Sequence, residues 1–399
     1  MDIVIISQYL RNITNFDVNN SRFVYLAKLL AQSGENVVEI VTSDFNHVTK
    51  SHFEQAGELS KVRISTIHEA GYHKNVSFKR FLSHKELAKN IENYLNERKK
   101  PDVCYCAVPS LDVGYAVAQY CNRNGVRFVV DIQDLWPEAF KMVFHVPIMS
   151  DLIFAPMRKK ADSIYKSADH VVAVSRTYAE RAKKVNTKCS RPSVVYLGTE
   201  KESFDKYAQK AIKKDEGVTI GYIGSMSDSY DLKSVIDAIG KIDASTTIKL
   251  LAMGDGPLKT AFVEHAEERG INAEFTGALP YPQMVVRLQQ CDIAVNPISK
   301  GSAGSIINKV GDYAMAGLPV INTQECQEYR DLLDEYHAGI NCECENVDEI
   351  ADALMKLISN STLRMEMSYN SRRVGEERFD RRNIYSKLVN DLLTKTGGN

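Results

Sequence analysis

Two doubly wound α/β domains, each a parallel sheet with helices on both faces, are the fold class this sequence predicts. Three observations lead there. Short Val- and Ile-rich runs alternate with segments of helical period from end to end, joined by short connections. At 399 residues the chain is long for one core and suits two or three. Charge is divided unevenly as well. Of 50 Lys and Arg and 51 Asp and Glu, residues 1–198 hold 27 and 20, a balance of +7, and the remainder 23 and 31, a balance of −8. Opposite signs on two halves point to two domains, with the first facing something anionic.

In chain order, IVII is a first strand, followed by a helix with Phe23, Leu26, Ala27 and Leu30 on one face. VVEIVT, VRISTI, DVCYCAV, RFVVDI and HVVAVS continue the strands, and SVVYLGTE reads as a last strand running into a linker. A second series opens at VTIGYIG. It continues through helix DLKSVIDAIGKI, strand TIKLLAMG, helix LKTAFVEHAEERG, and strands AEFTGA, DIAVNP and LPVINT. Continuous apolar strands of this kind belong to parallel sheets buried on both faces.

The bulk numbers describe an ordinary globular chain, 44% hydrophobic and 25% charged. No apolar run approaches the roughly 18 residues that span a bilayer. MDIVIISQYL lacks the basic flank and long apolar core of a signal peptide, so a cytoplasmic location is expected. The eight cysteines agree: YCAV and NCECEN lack C-x-x-C spacing, which favours buried or incidental thiols. Basic runs such as RKKADSIYK and RAKKVNTKCSR fit an anionic membrane surface or a phosphate-bearing molecule, or simply a solvated helix face.

Ligands of open parallel sheets bind beyond the carboxyl ends of the strands, and the suggestive loops of the second half fall there. GSMSDSYD, with Gly224, Ser225, Tyr230 and Asp231, follows VTIGYI. GDGP, with Gly254, Asp255 and Gly256, follows IKLLAM, and Gly277 ends a further strand. GSAGS, with Ala303, Gly304 and Ser305, follows DIAVNPI. Each alone could be a tight turn; together they converge on one ligand. Small residues at a helix start expose backbone N–H groups to an anion, and the cradle read here runs on through Ile306 and Asn308. Lys309 could reach the same phosphates, and Asp312, three residues on, shares its helix face. A carboxylate there could accept from the vicinal hydroxyls of a ribose. A surface ion pair is the alternative for the two. Neither is expected in the core.

In the first half, Asn19 and Asn20 stand with Ser21 at a helix start. Gln133, Asp134, Trp136 and Glu138 follow the end of RFVVDI. An aromatic face among carboxylates suits a sugar or lipid-linked acceptor, although Trp136 could equally wedge the core. GYHKNVSFKRFLSH is basic and aromatic, and reads either as the border of an acceptor groove or as a plain loop.

Taken in order, GYIGSMSDSYDL, AMGDGP, EFTGALPYPQMVVRLQQCDIAVNP and INKVGDYAMAGLPVI, with DIQDLWPE and KSADHVVAVS before them, resemble the retaining glycosyltransferases of family 4 over essentially the whole chain. The nearest subgroup builds capsule, exopolysaccharide or O-antigen units. The resemblance implies a GT-B architecture. Residues 1–198, with a C-terminal helix at 381–396 packing back, would form the acceptor side, and 199–380 would bind the nucleotide-sugar. Asp312 matches the second of two family glutamates, on the ribose; the first would fall at Gly304 and is absent. Where many members place Arg and Lys after the first strand of this domain, the chain has Ser225 and Tyr230, leaving Lys309 as the obvious cation. Gln133 stands where a His is common.

A retaining transfer from a nucleotide-sugar, UDP-linked rather than GDP-linked, to a saccharide or lipid-diphosphate acceptor is the activity implied, with peripheral contact to an anionic membrane. No D-x-D motif lies near a strand end, so neither metal nor other cofactor is expected, and nucleic acid is not among the partners. Two alternatives stay open: a sugar-nucleotide 2-epimerase, and a non-catalytic partner subunit.

Overall fold

Apolar strands that bury both faces leave little choice but a sheet covered on both sides, and this happens twice. The structure, a computed structural model, describes residues 1–10, 13–16, 21–74, 77–139, 153–212, 217–243, 247–302 and 305–393. It divides into two units, Met1–Val195 with Lys387–Asn399, and Tyr196–Ser386.

The strands of the first unit are β1 (Asp2–Ile6), β2 (Val37–Ser43), β3 (Phe45–Asn46), β4 (Ser51–His52), β5 (Val62–Ile67), β6 (Val103–Val108), β7 (Arg127–Ile132), β8 (His170–Ala173) and β9 (Ser193–Val194). Seven of them form a sheet in the order β5-β2-β1-β6-β7-β8-β9, all parallel. The order reverses between β1 and β6, which opens a crevice at their carboxyl ends. β3 and β4 make a short antiparallel hairpin beyond β2. Serines start the helices: Ser21, Ser77, Ser110 and Ser175 each accept a first-turn backbone N–H.

In the second unit the strands are β10 (Val218–Ile223), β11 (Ile248–Met253), β12 (Ala273–Gly277), β13 (Ile293–Asn296), β14 (Val320–Asn322) and β15 (Gly339–Asn341). The order β12-β11-β10-β13-β14-β15 repeats the same winding, with its reversal between β10 and β13. Those two strands pair only at Ile220–Ile293 and Gly221–Ala294. Beyond that point Tyr313 fills the gap: its hydroxyl accepts from Ile223 N (2.9 Å) and donates to Val295 O (3.1 Å). The helix that carries it, Lys309–Met315, is thereby pinned to the switch point.

The last helix, Arg381–Leu393, starts in the second unit and finishes in the first, where Arg127 donates to the carbonyls of Leu392 (2.7 Å) and Asp391 (2.9 Å). All eight cysteines are free thiols, and seven are buried. SVVYLGTE is a strand only at Ser193–Val194. The β3–β4 hairpin and β15 were not among the expected strands. Elements of two or three residues are too short to show a period.

One close approach governs the loops of the second unit. A Cβ on Gly254 would stand 1.7 Å from the carbonyl oxygen of Gly224, so the loops after β10 and β11 touch backbone to backbone. Gly270, at φ +64, has nothing within 4 Å of its would-be Cβ. Gly254→Ala is therefore expected to destabilise by about 4 kcal/mol or more, and Gly270→Ala by only about 1–2 kcal/mol of left-handed strain. Urea unfolding of both variants checks this; equal losses would show that the loop contact is soft.

Candidate functional site

Lys309 is where the second unit departs most from ordinary protein chemistry. Its ammonium is buried, with 7% of the residue exposed, and Nζ has no hydrogen-bond partner. Two tyrosine rings hold it instead, with Nζ 4.3 Å from the centroid of Tyr222 and 4.5 Å from that of Tyr230. Tyr222 stands in β10 and is fixed by its hydroxyl, which donates to Ser225 O at 2.5 Å. Tyr230 follows in the next loop, bridged to Ile298 beyond β13. The two rings meet edge to face at 6.2 Å. Ring faces attract a cation but do not replace its water, so burial pushes the Lys309 amine well below the usual lysine range. The expectation that this residue lies outside the core fails: it is enclosed at the strand-order reversal.

Asp312 faces different partners. It is half-buried, and its Oδ1 accepts from Thr199 Oγ1 (2.8 Å) and from Tyr281 OH (2.9 Å). Loss of hydration raises its pKa, opposed by those two hydrogen bonds and by the charge of Arg381. Although three residues apart on one helix, Lys309 and Asp312 do not pair: the first turns to β10 and the second to Tyr281 and the Thr199 segment.

The glycine loops are less open than their composition suggests. Gly224 N donates to Met253 O and Gly254 N to Gly277 O, and Met226 N donates to Asp255 O. The amides of Gly224 and Gly254, both expected in the donor site, therefore close the strand ends. Gly256 N is held by the Asp255 carboxylate at 2.8 Å. Asp231 is a helix cap, accepting from Ser234 N at 3.1 Å. Gly277 lies near a residue that composition alone did not flag: its would-be Cβ is 3.3 Å from Lys259 Nζ and 3.9 Å from Asp255 Oδ2.

Ala303 and Gly304 lie outside the described residues, and Ile306 is buried. Asn308 precedes the Lys309 helix without a side-chain capping bond. That helix has seven residues, too short for its dipole to carry an anion site alone. Ser305 is fixed from behind, its carbonyl accepting from the buried Gln324 Nε2 at 2.5 Å. Gln324 in turn belongs to a polar ladder across three strand ends. Asn296, Asn322 and Asn341 are in register; Asn296 Nδ2 donates to Asn322 Oδ1 (2.8 Å) and Asn322 Nδ2 to Asn341 Oδ1 (2.9 Å).

In the first unit, Asn19 and Asn20 lie outside the described residues. Gln133 Nε2 donates to Asp131 (2.6 Å), which also accepts from Tyr105 OH (2.6 Å) and pairs with the buried Arg22 (3.3 Å). Asp134 accepts from Leu135 N and Tyr178 OH, and burial raises its pKa. Glu138 is bound to Arg181 at 2.6 Å, which also holds Asp162. Glu138, expected among the acceptor residues, is thus engaged by an arginine of the same unit. Trp136 is buried and stacked on His84, with the Arg80 guanidinium 4.9 Å from its centroid. Among the described residues, the one grouping that could hold a metal is Asp44, His52 and His68 of the first unit. There His52 Nε2 is bonded to Glu69 O (2.7 Å) and His68 Nδ1 to Asp44 (2.9 Å).

Residues 203–374 match the family of glycosyl transferases group 1. Among solved structures, sucrose-phosphate synthase of Thermosynechococcus elongatus superposes with a TM-score of 0.73 at 14% identity, over 98% of this chain and 99% of that one. HepE of Anabaena in complex with UDP gives 0.68 at 14%, over 98% and 99%. WaaG, a glycosyltransferase involved in lipopolysaccharide biosynthesis, gives 0.67 at 16%, over 99% and 100%. No curated protein matches the sequence. The fold is GT-B, and with a group 1 domain in its second unit the chain is a glycosyltransferase.

Two substitutions separate the roles of the helix. Lys309 binds fewer protons folded than unfolded, so it costs stability at low and neutral pH, and the cost fades as pH rises toward about 10.4. Lys309→Met is expected to melt no lower than the wild type at pH 7, with the difference shrinking in alkali. Asp312→Ala strands the buried Thr199 hydroxyl and frees that of the half-buried Tyr281, and should lose about 1–3 kcal/mol. Thermal melts across pH read both; a Lys309→Met protein markedly less stable at pH 7 would refute the desolvated amine.

Proposed function

We propose that the chain is a retaining transferase that moves a sugar from a UDP-sugar to a saccharide or lipid-diphosphate acceptor in the assembly of a surface polysaccharide. The observation that carries this reading is the Lys309 amine, buried without a hydrogen-bond partner at the strand-order reversal, where the fold binds ligands. An anion is what such a group lacks. A diphosphate beside it restores a full ammonium and gives that ammonium a partner. The complex of HepE with UDP supports a uridine donor, and the role of WaaG in lipopolysaccharide biosynthesis supports the surface-polysaccharide context.

The chemistry follows from where charge develops. The bond between the anomeric carbon and the phosphate oxygen breaks, and its electrons pass to the departing UDP. Lys309 stabilises that growing charge directly. The acceptor hydroxyl forms its new bond to the anomeric carbon on the face the phosphate leaves, and its proton passes to a phosphate oxygen. That route needs neither a side-chain base nor a divalent metal. Asp312 is placed to hold the Thr199 segment and Tyr281 around the donor, so its effect on donor affinity is that of a positioning residue. Peripheral contact with an anionic membrane belongs to the same reading; on the first unit Phe78 and Leu82 are exposed beside Lys79 and Lys85.

Incubation with radiolabelled UDP-sugars and a lipid-diphosphate acceptor tests the function. Label on the lipid, undiminished by EDTA, is the expected result. A converted free nucleotide would instead indicate an epimerase, and no change a non-catalytic subunit. Lys309→Met should lower kcat by about 10²–10³.

Calorimetry supplies an independent check. Because the resting amine has a depressed pKa and a diphosphate raises it, UDP binding should take up protons at pH above the resting value. The heat should therefore vary with the ionisation enthalpy of the buffer in the wild type and not in Lys309→Met. Buffer-independent heats in the wild type would remove Lys309 from the donor site.

A further inference from the structure

Three side chains of the first unit, Asp44, His52 and His68, converge at the edge of its sheet, each offering one nitrogen or oxygen within 4.8 Å of the other two. The backbone brings them together. Asp44 follows β2 and His68 follows β5, side by side because Ser43 and Ile67 are partners in the ladder. Asp44 N donates to Ile67 O at 2.9 Å. His52 stands in β4, opposite Phe45 of the hairpin, and the next residue, Phe53, donates its N–H to Asp44 O at 2.8 Å. Three chain segments are thus fixed around one point before any side chain is considered.

The side chains are aimed at the same point. Asp44 Oδ1 accepts from Glu69 N (3.0 Å), which turns Oδ2 to His68 Nδ1 at 2.9 Å. His52 Nε2 lies 3.8 Å from Asp44 Oδ1 and donates to Glu69 O at 2.7 Å. Neighbouring ligand atoms around a tetrahedral zinc ion, with bonds of about 2.0–2.2 Å, are roughly 3.4 Å apart. The two separations from Asp44 bracket that value. Two imidazoles on one such ion have ring centres roughly 5 Å apart; here the centres are 5.5 Å apart. The bond from Asp44 raises the His68 pKa, and the charges of Asp44, Glu86 and Glu69 act the same way. A potential that holds a proton also holds a metal cation. Both imidazoles are open to solvent, with 43% and 62% of their side chains exposed. Exposed pairs of this kind contribute little to stability by themselves.

We propose that Asp44, His52 and His68 form a binding site for a zinc-class divalent ion, held through one carboxylate oxygen, His52 Nε2 and His68 Nδ1, with water on the exposed side. Two imidazoles and one carboxylate suit zinc and its neighbours, whereas magnesium and calcium prefer oxygen throughout. Each imidazole binds as the neutral ring. Its proton leaves the ligating nitrogen for the other ring nitrogen or for solvent, and the bonds to Glu69 O and Asp44 Oδ2 give way to the ion. The Glu69 amide stays behind the carboxylate and keeps its orientation. Bound there, the ion clips the β3–β4 hairpin to the ends of β2 and β5. It fastens the first unit and takes no part in the transfer step, and the site stands whether or not the chain transfers sugar.

Full-length protein, stripped with EDTA and then freed of it, is titrated with Zn²⁺ and separately with Mg²⁺ by calorimetry. Saturable binding of one Zn²⁺ per chain is expected, with Mg²⁺ neither binding there nor competing. His52→Gln and His68→Gln should each weaken Zn²⁺ by at least the roughly 10–100-fold typical of losing a partner behind a ligand. Thermal melting gives a second reading: the wild-type Tm should rise with Zn²⁺ concentration, and that of either variant far less. Both variants should match the wild-type Tm in EDTA and bind UDP as it does.

No saturable Zn²⁺ binding, Mg²⁺ bound as tightly as Zn²⁺, or wild-type Zn²⁺ affinity in either variant would overturn the proposal. Should one variant fail to fold, the other decides.

Discussion

An ammonium removed from water and given no counter-charge is the constraint around which the second unit is built. Two aromatic faces recover only part of the lost hydration, so the rest of the fold has to hold Lys309 in place. Tyr313, four residues along the same helix, does this by joining two strands that would otherwise part. Tyr222 is tied to Ser225 O and Tyr230 to the segment beyond β13. Each restraint comes from a neighbouring element, and together they hold the buried amine at the strand-order reversal.

Cations over aromatic rings recur at the strand ends of the first unit, where Arg80 and Lys50 stand over Tyr72. Backbone amides play a smaller part than glycine-rich loops lead one to expect. In the second unit the loops after β10 and β11 touch backbone to backbone, and their amides bond to neighbouring strand ends, Gly224 to Met253 of β11 and Gly254 to Gly277 of β12. Rigidity of these loops consequently falls to the glycines.

Much of the architecture was legible in the sequence, because buried parallel strands are long apolar runs and the helices between them keep their period. The two- and three-residue strands were not, and SVVYLGTE looked like a full strand because its apolar residues pack without a partner ladder beyond Val194. Of the candidate site residues read from the sequence, Lys309, Asp312, Ser225 and Tyr230 stand on elements that meet at one strand-order reversal. What composition could not show is direction. Three residues of helix separate Lys309 from Asp312, yet buried surfaces on two sides draw them apart. Nothing in VTIGYI sets Tyr222 apart from its apolar neighbours, and no motif marks Lys259. The partner of Glu138, Arg181, is distant in sequence. Long-range pairing of this kind leaves no local signature.

The asparagines at the ends of β13, β14 and β15 carry a consequence for how such a chain can change over generations. The bonds run one way, from the Asn296 amide to Asn322 and from the Asn322 amide to Asn341, while Gln324 accepts from Asn296 and extends the chain of bonds to the Ser305 loop. Replacing any one with an apolar residue strands its buried neighbour, which costs more than the lost bond itself. Replacing all three at once still strands the buried Gln324, whose Oε1 accepts from Asn296 and whose backbone N–H donates to Asn322. Drift along single steps is thus costly, so in any lineage of this protein the three asparagines and Gln324 behave as one inherited character.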